Sequence, residues 1–423
     1  MKNFGSLYKF ELKKLWGKRM TWVTLLIMLA VIITGNLSQM LITSLTDEEI
    51  EISAYEDIVK RREYALALSG RPIDDMLLGE MQKAYGDSQI VFYEELAGET
   101  GGGLSEGGVR EVEIQVEDGR SEEQIAEDHR KYDGIYSFAA SICDYDKVLT
   151  VDAQTLYQIR QEGIIEEWVK GYSLSEMEEK LWIEREERIE KPFIYEYGMG
   201  FVMLFGQINT LDYLWILLCA ICLSGFFADE HLRRTDQVIL CSRYGKEPVY
   251  FAKMAAGISF ALGGTILFYV TGALLALGIY GTDGFHAALQ LYVYMSSWDI
   301  SIGESVCILF LVSLCGVLAC SVLTMILSEI LRNATAVLSL VSGVTFLSLF
   351  VNVPPESGVL SRLYALLPTK LLHEWGFIDN RMVHVAGKYF HLLQTAPVVY
   401  LALAAGLGWI GYEVYKRYQV RGR

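Results

Sequence analysis

The side chains best able to do covalent or metal chemistry are few, and their spacings argue against it. His373 opens "HEWGF", the start of a zinc-protease helix, but the second histidine that would complete the ligand pair is replaced by Phe377. The "YGKE" at Tyr244 lacks both the upstream glycine and the Ser/Thr of a phosphate-cradling loop, so this chain does not bind ATP by that route. Cys219 and Cys222 have redox spacing in "CAIC", yet they lie inside an apolar run without a thioredoxin-like context. Asn209, Asp212 and Glu304 are polar residues within or beside apolar runs, and their places near the outer ends of those runs favour solvation by water or headgroups over a proton relay. No catalytic or metal-ligating set assembles from these residues, and no cofactor is expected in this chain.

The elements that carry them are apolar and long. Of 423 residues, 52% are hydrophobic, and they cluster. A hydrocarbon core of roughly 30 Å takes about 20 residues of helix. Six runs approach that length: 21–45, 211–228, 252–280, 305–327, 334–353 and 397–415. The first is longer than a signal-peptide core and has no small-x-small site behind it, so it is expected to stay as a span. Lipidation signals are missing, and the spans are the expected anchor.

Orientation follows from basic residues beside the spans. The N-terminal segment "MKNFGSLYKFELKKLWGKR" carries six, the tail "YKRYQVRGR" carries four, and the connection after the second run carries Arg233, Arg234, Arg243, Lys246 and Lys253. All three are expected on the cytoplasmic side of a cell membrane, with both termini inside. Residues 46–198 then lie outside as one insertion. The stretch 46–197 holds 38 acidic against 16 basic residues, a net of −22, whereas the rest of the chain is +6, so the overall −16 says nothing about the membrane part. No nucleic-acid partner is expected.

Within the insertion, hydroxyl caps three residues before Glu or Gln predict helix starts at "TDEE" (Thr46), "SEEQ" (Ser121) and "SLSE" (Ser173). Pro72 suits a first helical turn, with Ile73, Met76, Leu77 and Met81 at helical spacing. "GETGGGLSEGG" at 98–108 is a break, and "VREVEIQVED" alternates like a strand. One cysteine, Cys143, lies in the insertion, so no disulfide forms within it.

Two of the stretches expected on the cytoplasmic side carry patterns beyond their charge, the alternatives being a plain basic flank of the first span and a solvated basic loop that serves topology alone. In residues 1–19, Phe4, Leu7, Tyr8, Leu12, Leu15 and Trp16 form one helical stripe while Lys9, Lys13 and Lys18 fall away from it, the pattern of a helix lying in the interface. The connection after the second run reads "ADEHLRRTDQVILCSRYGKEPVYFAKM". It predicts a charged start, a short apolar patch of Val238, Ile239 and Leu240, a turn at Gly245, and Pro248 opening the next helix. Glu329 and Arg332, in the short loop "SEILRNA", are spaced either to pair with each other or to offer a second docking point.

This pattern resembles the membrane permease subunits of type-2 ABC exporters. They combine an amphipathic elbow helix, six spans and a cytoplasmic turn reading roughly Glu, Gly-Thr, an apolar triplet, Ser, Arg and a later Lys. Glu230, Arg234, Thr235, Val238, Ile239, Leu240, Arg243 and Lys253 match in order, with Arg234 in place of the usual glycine and Cys241 after the triplet.

The resemblance implies an all-α polytopic membrane protein. Its parts are an elbow helix at 1–19, a first span at 20–45, a mostly helical extracytoplasmic domain at 46–198, and spans two to six within 199–423. A coupling turn occupies 229–251, and an external re-entrant segment, 354–394, places Trp375, Tyr389 and Phe390 at headgroup level. It also implies a non-catalytic exporter subunit in the lipid bilayer, paired with a second copy or a related permease, whose coupling turn docks on a separate ATPase subunit that binds the ATP. The competing expectations are a membrane-anchored sensor whose external domain binds a ligand without transport, and an intramembrane enzyme.

Overall fold

A computed structural model describes residues 4–46, 54–86, 88–90, 114–116, 121–145, 147–171, 174–241 and 247–418. In chain order the elements are helices α1 (Phe4–Trp16), α2 (Arg19–Thr46), α3 (Ala54–Leu68) and α4 (Asp75–Gly86), strands β1 (Ser88–Ile90) and β2 (Ile114–Val116), and helices α5 (Glu122–Ile142), α6 (Ala153–Gly163) and α7 (Glu176–Glu187). Then come α8 (Met199–Leu223), α9 (Gly225–Leu232), α10 (Thr235–Cys241), α11 (Glu247–Tyr280), α12 (Ile302–Leu331), α13 (Ala334–Phe350), α14 (Val359–Ala365) and α15 (Pro368–Leu371). A hairpin of β3 (Met382–Val385) and β4 (Lys388–His391) precedes α16 (Leu392–Arg417).

Among the described residues, five helical stretches are long and apolar enough to cross a membrane: Arg19–Leu37, Met199–Leu232, Glu247–Tyr280, Ile302–Leu331 and Leu392–Arg417. The protein is thus a mostly helical chain with several apolar spans. The expected span at 334–353 is a 17-residue helix that stops at Phe350, because Asn352 and Pro354 follow it.

The chain forms two compact units, Met1–Ala54 with Gly163–Ile189 and Gly198–Arg423, and Tyr55–Glu162 with Glu190–Tyr197. The boundary differs from the expected 46–198, since α7 belongs with the apolar helices. Its Trp182 donates to the Asn380 carbonyl at 2.6 Å, Glu178 pairs with Arg362 at 3.0 Å, and Glu186 accepts from Ser297 at 2.9 Å. These three residues lie on one face and are buried, a pattern that a segment so rich in glutamate hides in its composition.

The larger unit packs α8 against α11 and α12 around Trp215, whose indole donates to the Ala261 carbonyl and to Thr265, both at 3.1 Å. The fit depends on Gly264, where a Cβ would stand 2.0 Å from the Trp215 ring. Small residues admit such close helix contact. Helix α12 opens with a Ser301–Glu304 capping box, which is where Glu304 finds its place, and ends at Arg332 in the left-handed conformation (φ 52°).

The smaller unit has its own core of Ile73, Leu77, Met81, Ile135 and Phe138. Tyr157 ties it together, donating to the Ile73 carbonyl and accepting from the Phe193 amide, both at 3.0 Å. The Ser121 cap is in place, with Gln124 completing the box. Two expected starts move. Pro72 is not in a helix but bridges to Ile194, and Asp74 caps the Leu77 amide of α4 at 3.0 Å. The cap of α7 is Ser175 with Glu178, two residues beyond Ser173, because Glu178 is the glutamate whose carboxylate also meets Arg362. Within the alternating stretch Ile114–Val116 form β2, antiparallel to β1, and its other residues lie outside the described ones. The expected start at Thr46 and the break at 98–108 lie outside the described residues, apart from Thr46 itself, which ends α2.

Candidate functional site

Four charged side chains meet where α1, α9 and α11 converge. Lys253, fully buried one and a half turns into α11, donates to Glu230 at 2.8 Å and to the Phe226 carbonyl at 2.9 Å, with Glu11 at 4.0 Å. Its ammonium also lies 4.7 Å from the Phe227 ring centroid. Lys14 closes the set, bonded to Glu11 at 2.8 Å and to Glu230 at 2.9 Å. Two carboxylates and two ammoniums cancel, and each carboxylate serves both cations. Such sharing is what lets buried charges recover their desolvation cost. Burial lowers the proton affinity of Lys14, but Glu11 and Glu230 outweigh it and hold the ammonium above its ordinary range. Lys18 adds an outer bond to Asp229 at 3.1 Å.

Helix α9 is held from its other side by α12. The Ser328 hydroxyl accepts from the amides of Phe227 (3.1 Å) and Ala228 (3.0 Å) and donates to the Ser224 carbonyl at 2.5 Å. His231 lies 3.0 Å from the Glu329 carboxylate and edge-on to Tyr418. Glu329 and Arg332 therefore do not pair with each other as their spacing suggested. The left-handed backbone at Arg332 swings its guanidinium over the Tyr418 ring, 4.3 Å from the centroid.

What projects from this anchored base is α10. Leu232 and Val238 are 81% and 74% exposed, and Arg233, Thr235, Gln237 and Cys241 are exposed as well. Arg234 enters the turn with φ 57°, a left-handed conformation that glycine adopts at least cost. It is the position at which the resembled permease pattern carries glycine. Replacing Arg234 by glycine is expected to leave stability unchanged or raise it by up to about 1 kcal/mol; thermal unfolding of the purified variant checks this.

The motif residues thus divide. Glu230 and Lys253 come together inside, whereas Arg234, Thr235 and Val238 face out and Ile239 is half-buried. Leu240 is helical, and Arg243 lies outside the described residues. Glu11, Lys14, Ser328 and Glu329 complete the base. The available signal was Glu11, the one acid in a basic segment, three residues ahead of Lys14 on the face of Tyr8, Leu12 and Leu15.

Asp212 is not solvated as its expected place implied. It is 1% exposed, thirteen residues into α8, and accepts from Tyr269 at 3.0 Å and from the Ser313 hydroxyl. The helix begins at Met199 rather than near 211, which moves Asp212 from an end towards the middle of the rod. Asp212→Asn, which preserves the hydrogen-bonding shape, is expected to unfold close to wild type. Asp212→Leu should cost about 1–3 kcal/mol for each hydroxyl left unpaired, read by thermal unfolding in detergent.

One serine spacing stands against the expected absence of a catalytic set. "GLSEG" at 103–107 has the G-x-S-x-G form of a nucleophile elbow, but the strand pattern leading to β2 follows it where an elbow needs a helix. The segment lies outside the described residues.

No protein-family model matches this chain, and no curated protein or solved structure matches it either.

Proposed function

We propose that the chain is the permease subunit of an ATP-driven exporter of the type-2 ABC kind, with α10 as the element that docks on a separate ATPase. The observation that carries the reading is the division of the motif: an exposed apolar turn seated on a buried ion cluster that joins α1, α9 and α11. A coupling element must present a surface to its partner and also transmit displacement. A turn on a loose loop does the first alone, whereas here the base is cross-linked to four other helices, counting α12 and α16 through Glu329 and Tyr418.

In this reading α1 is the elbow helix, α13 is the short fifth of six spans, and both termini with α10 lie in the cytosol of a multi-pass protein of the plasma membrane. ATP is bound by the partner, and a second copy or a related permease completes the path. The sensor alternative uses the same exposed turn to recruit a partner and differs in having no ligand-stimulated ATP turnover.

Topology is tested by thiol labelling. In an otherwise cysteine-free chain, a cysteine at Tyr145, 75% exposed in the smaller unit, is expected to react with an impermeant reagent on intact cells, while Cys241 reacts only after the membrane is opened. Labelling of Cys241 on intact cells would reverse the orientation and remove α10 from the reach of any cytosolic ATPase.

A further inference from the structure

A polar cavity of about 460 Å³ lies towards the end of the larger unit opposite the ion cluster, within the range of small-molecule sites. It is framed by α8, by the end of α13 and by the irregular chain that follows. That chain runs deep. Tyr213 donates to the Thr369 carbonyl, Tyr400 donates to the Leu366 carbonyl at 2.6 Å, and Pro368 packs where a Cβ on Gly316 would stand, 3.5 Å away. Tyr213 is fourteen residues from Met199 and Gly316 is fourteen from Ile302, so at about 1.5 Å per residue residues 366–369 sit roughly 20 Å in from those helix starts. Here the backbone is broken into the short helices α14 and α15 with Leu366 and Leu367 between them, and such breaks at membrane depth are tolerated where they are buried in protein or line a wet cavity.

The lining states what would fit. The Lys370 ammonium is held by neutral groups, the Leu349 carbonyl at 3.3 Å and Asn352 Oδ1 at 3.1 Å, with the Tyr364 ring 5.6 Å away. The other cation, Arg381, has its charge met by Asp379 at 2.9 Å. An anion is therefore matched by Lys370. Asn209 Oδ1 is buried with no hydrogen-bond partner, and it would accept from a hydroxyl on the same ligand. Beside the lining residues in the chain, Phe350, Leu360 and Leu363 expose 82%, 61% and 60% of their surface, an apolar approach for an acyl chain.

We propose that this cavity takes the headgroup of an anionic amphiphile carrying hydroxyls. The proposal does not rest on the exporter reading. The same headgroup chemistry occurs in soluble phosphate esters, and the two sources are separated by using phosphatidylglycerol, phosphatidylcholine and glycerol phosphate as probes on the purified full-length protein in neutral detergent, with bound lipid read by native mass spectrometry. Phosphatidylglycerol is expected to be retained roughly tenfold better than phosphatidylcholine, the size of one charge-assisted contact. Lys370→Gln should remove the preference and Lys370→Arg should keep it. Ala365→Trp, which fills the cavity, should release both lipids while thermal unfolding remains cooperative. Glycerol phosphate bound as tightly as the lipid would overturn the amphiphile in favour of a soluble ester. Equal retention of the two lipids, or a preference unchanged in Lys370→Gln, would overturn the site. No ATPase is present in this assay, so either failure leaves the coupling reading untouched.

Discussion

Replacing Val238 by aspartate is expected, on the proposed coupling role of α10, to release the ATPase while the chain still inserts and folds. Val238 is 74% exposed on a short helix, so the substitution removes no packing from the chain itself. In the complex the same side chain would sit in a desolvated groove, where an anchor truncation costs 2 kcal/mol or more, about thirtyfold in affinity, and a buried unpaired carboxylate adds to it. Gln237→Ala, on the same exposed turn, is expected to change retention little. The structure makes Val238 a cleaner probe than Ile239, the centre of the triplet, because Ile239 is half-buried and an aspartate there would disturb α10 as well as its partner. Co-purification of the ATPase with each variant is the readout. A Val238→Asp protein that retains its ATPase would remove the docking face.

The largest effect on stability is expected at Lys253. Lys253→Met leaves the carboxylates of Glu230 and Glu11 without their buried cation, and breaking such a set from one side costs about 3–5 kcal/mol. The double variant Lys253→Met with Glu230→Gln should recover part of that loss, since it removes charge of both signs together. Lys14→Met should cost less, because the Lys14 side chain is about one third exposed and its pairs are screened. Thermal unfolding of the purified variants ranks them. A Lys253→Met protein as stable as Lys14→Met would mean that the cluster does not clamp α11 to α9.

Much of the helical architecture was readable from hydropathy, and the two misplaced span starts share a cause. The run read as 211–228 belongs to a rod that spans Met199–Leu232, since Gln207, Asn209 and Asp212 interrupt the apolar pattern without interrupting the helix. The third run was read from 252, but α11 starts at Glu247 and carries Lys253 inside. In both cases a polar residue is satisfied by a partner far away in the chain: Asp212 by Tyr269 and Ser313, Lys253 by Glu11 and Glu230. Local pattern cannot supply that partner, so it reads the polar residue as an end. The motif residues of the turn were legible by type and order, yet which of them face in and which face out was not, because Glu11 and Lys14 lie more than 200 residues away.

The central claim is that α10 touches an ATPase, and the native thiol at Cys241, exposed at the end of that helix, reports on it directly. With Cys307 replaced by serine, a short bifunctional reagent at Cys241 in the purified native complex should join the chain to a nucleotide-binding subunit, with a yield that changes when ATP is added, and Val238→Asp should abolish the product. A Cys241 adduct that contains no nucleotide-binding protein, or a yield indifferent to both ATP and Val238→Asp, would contradict it.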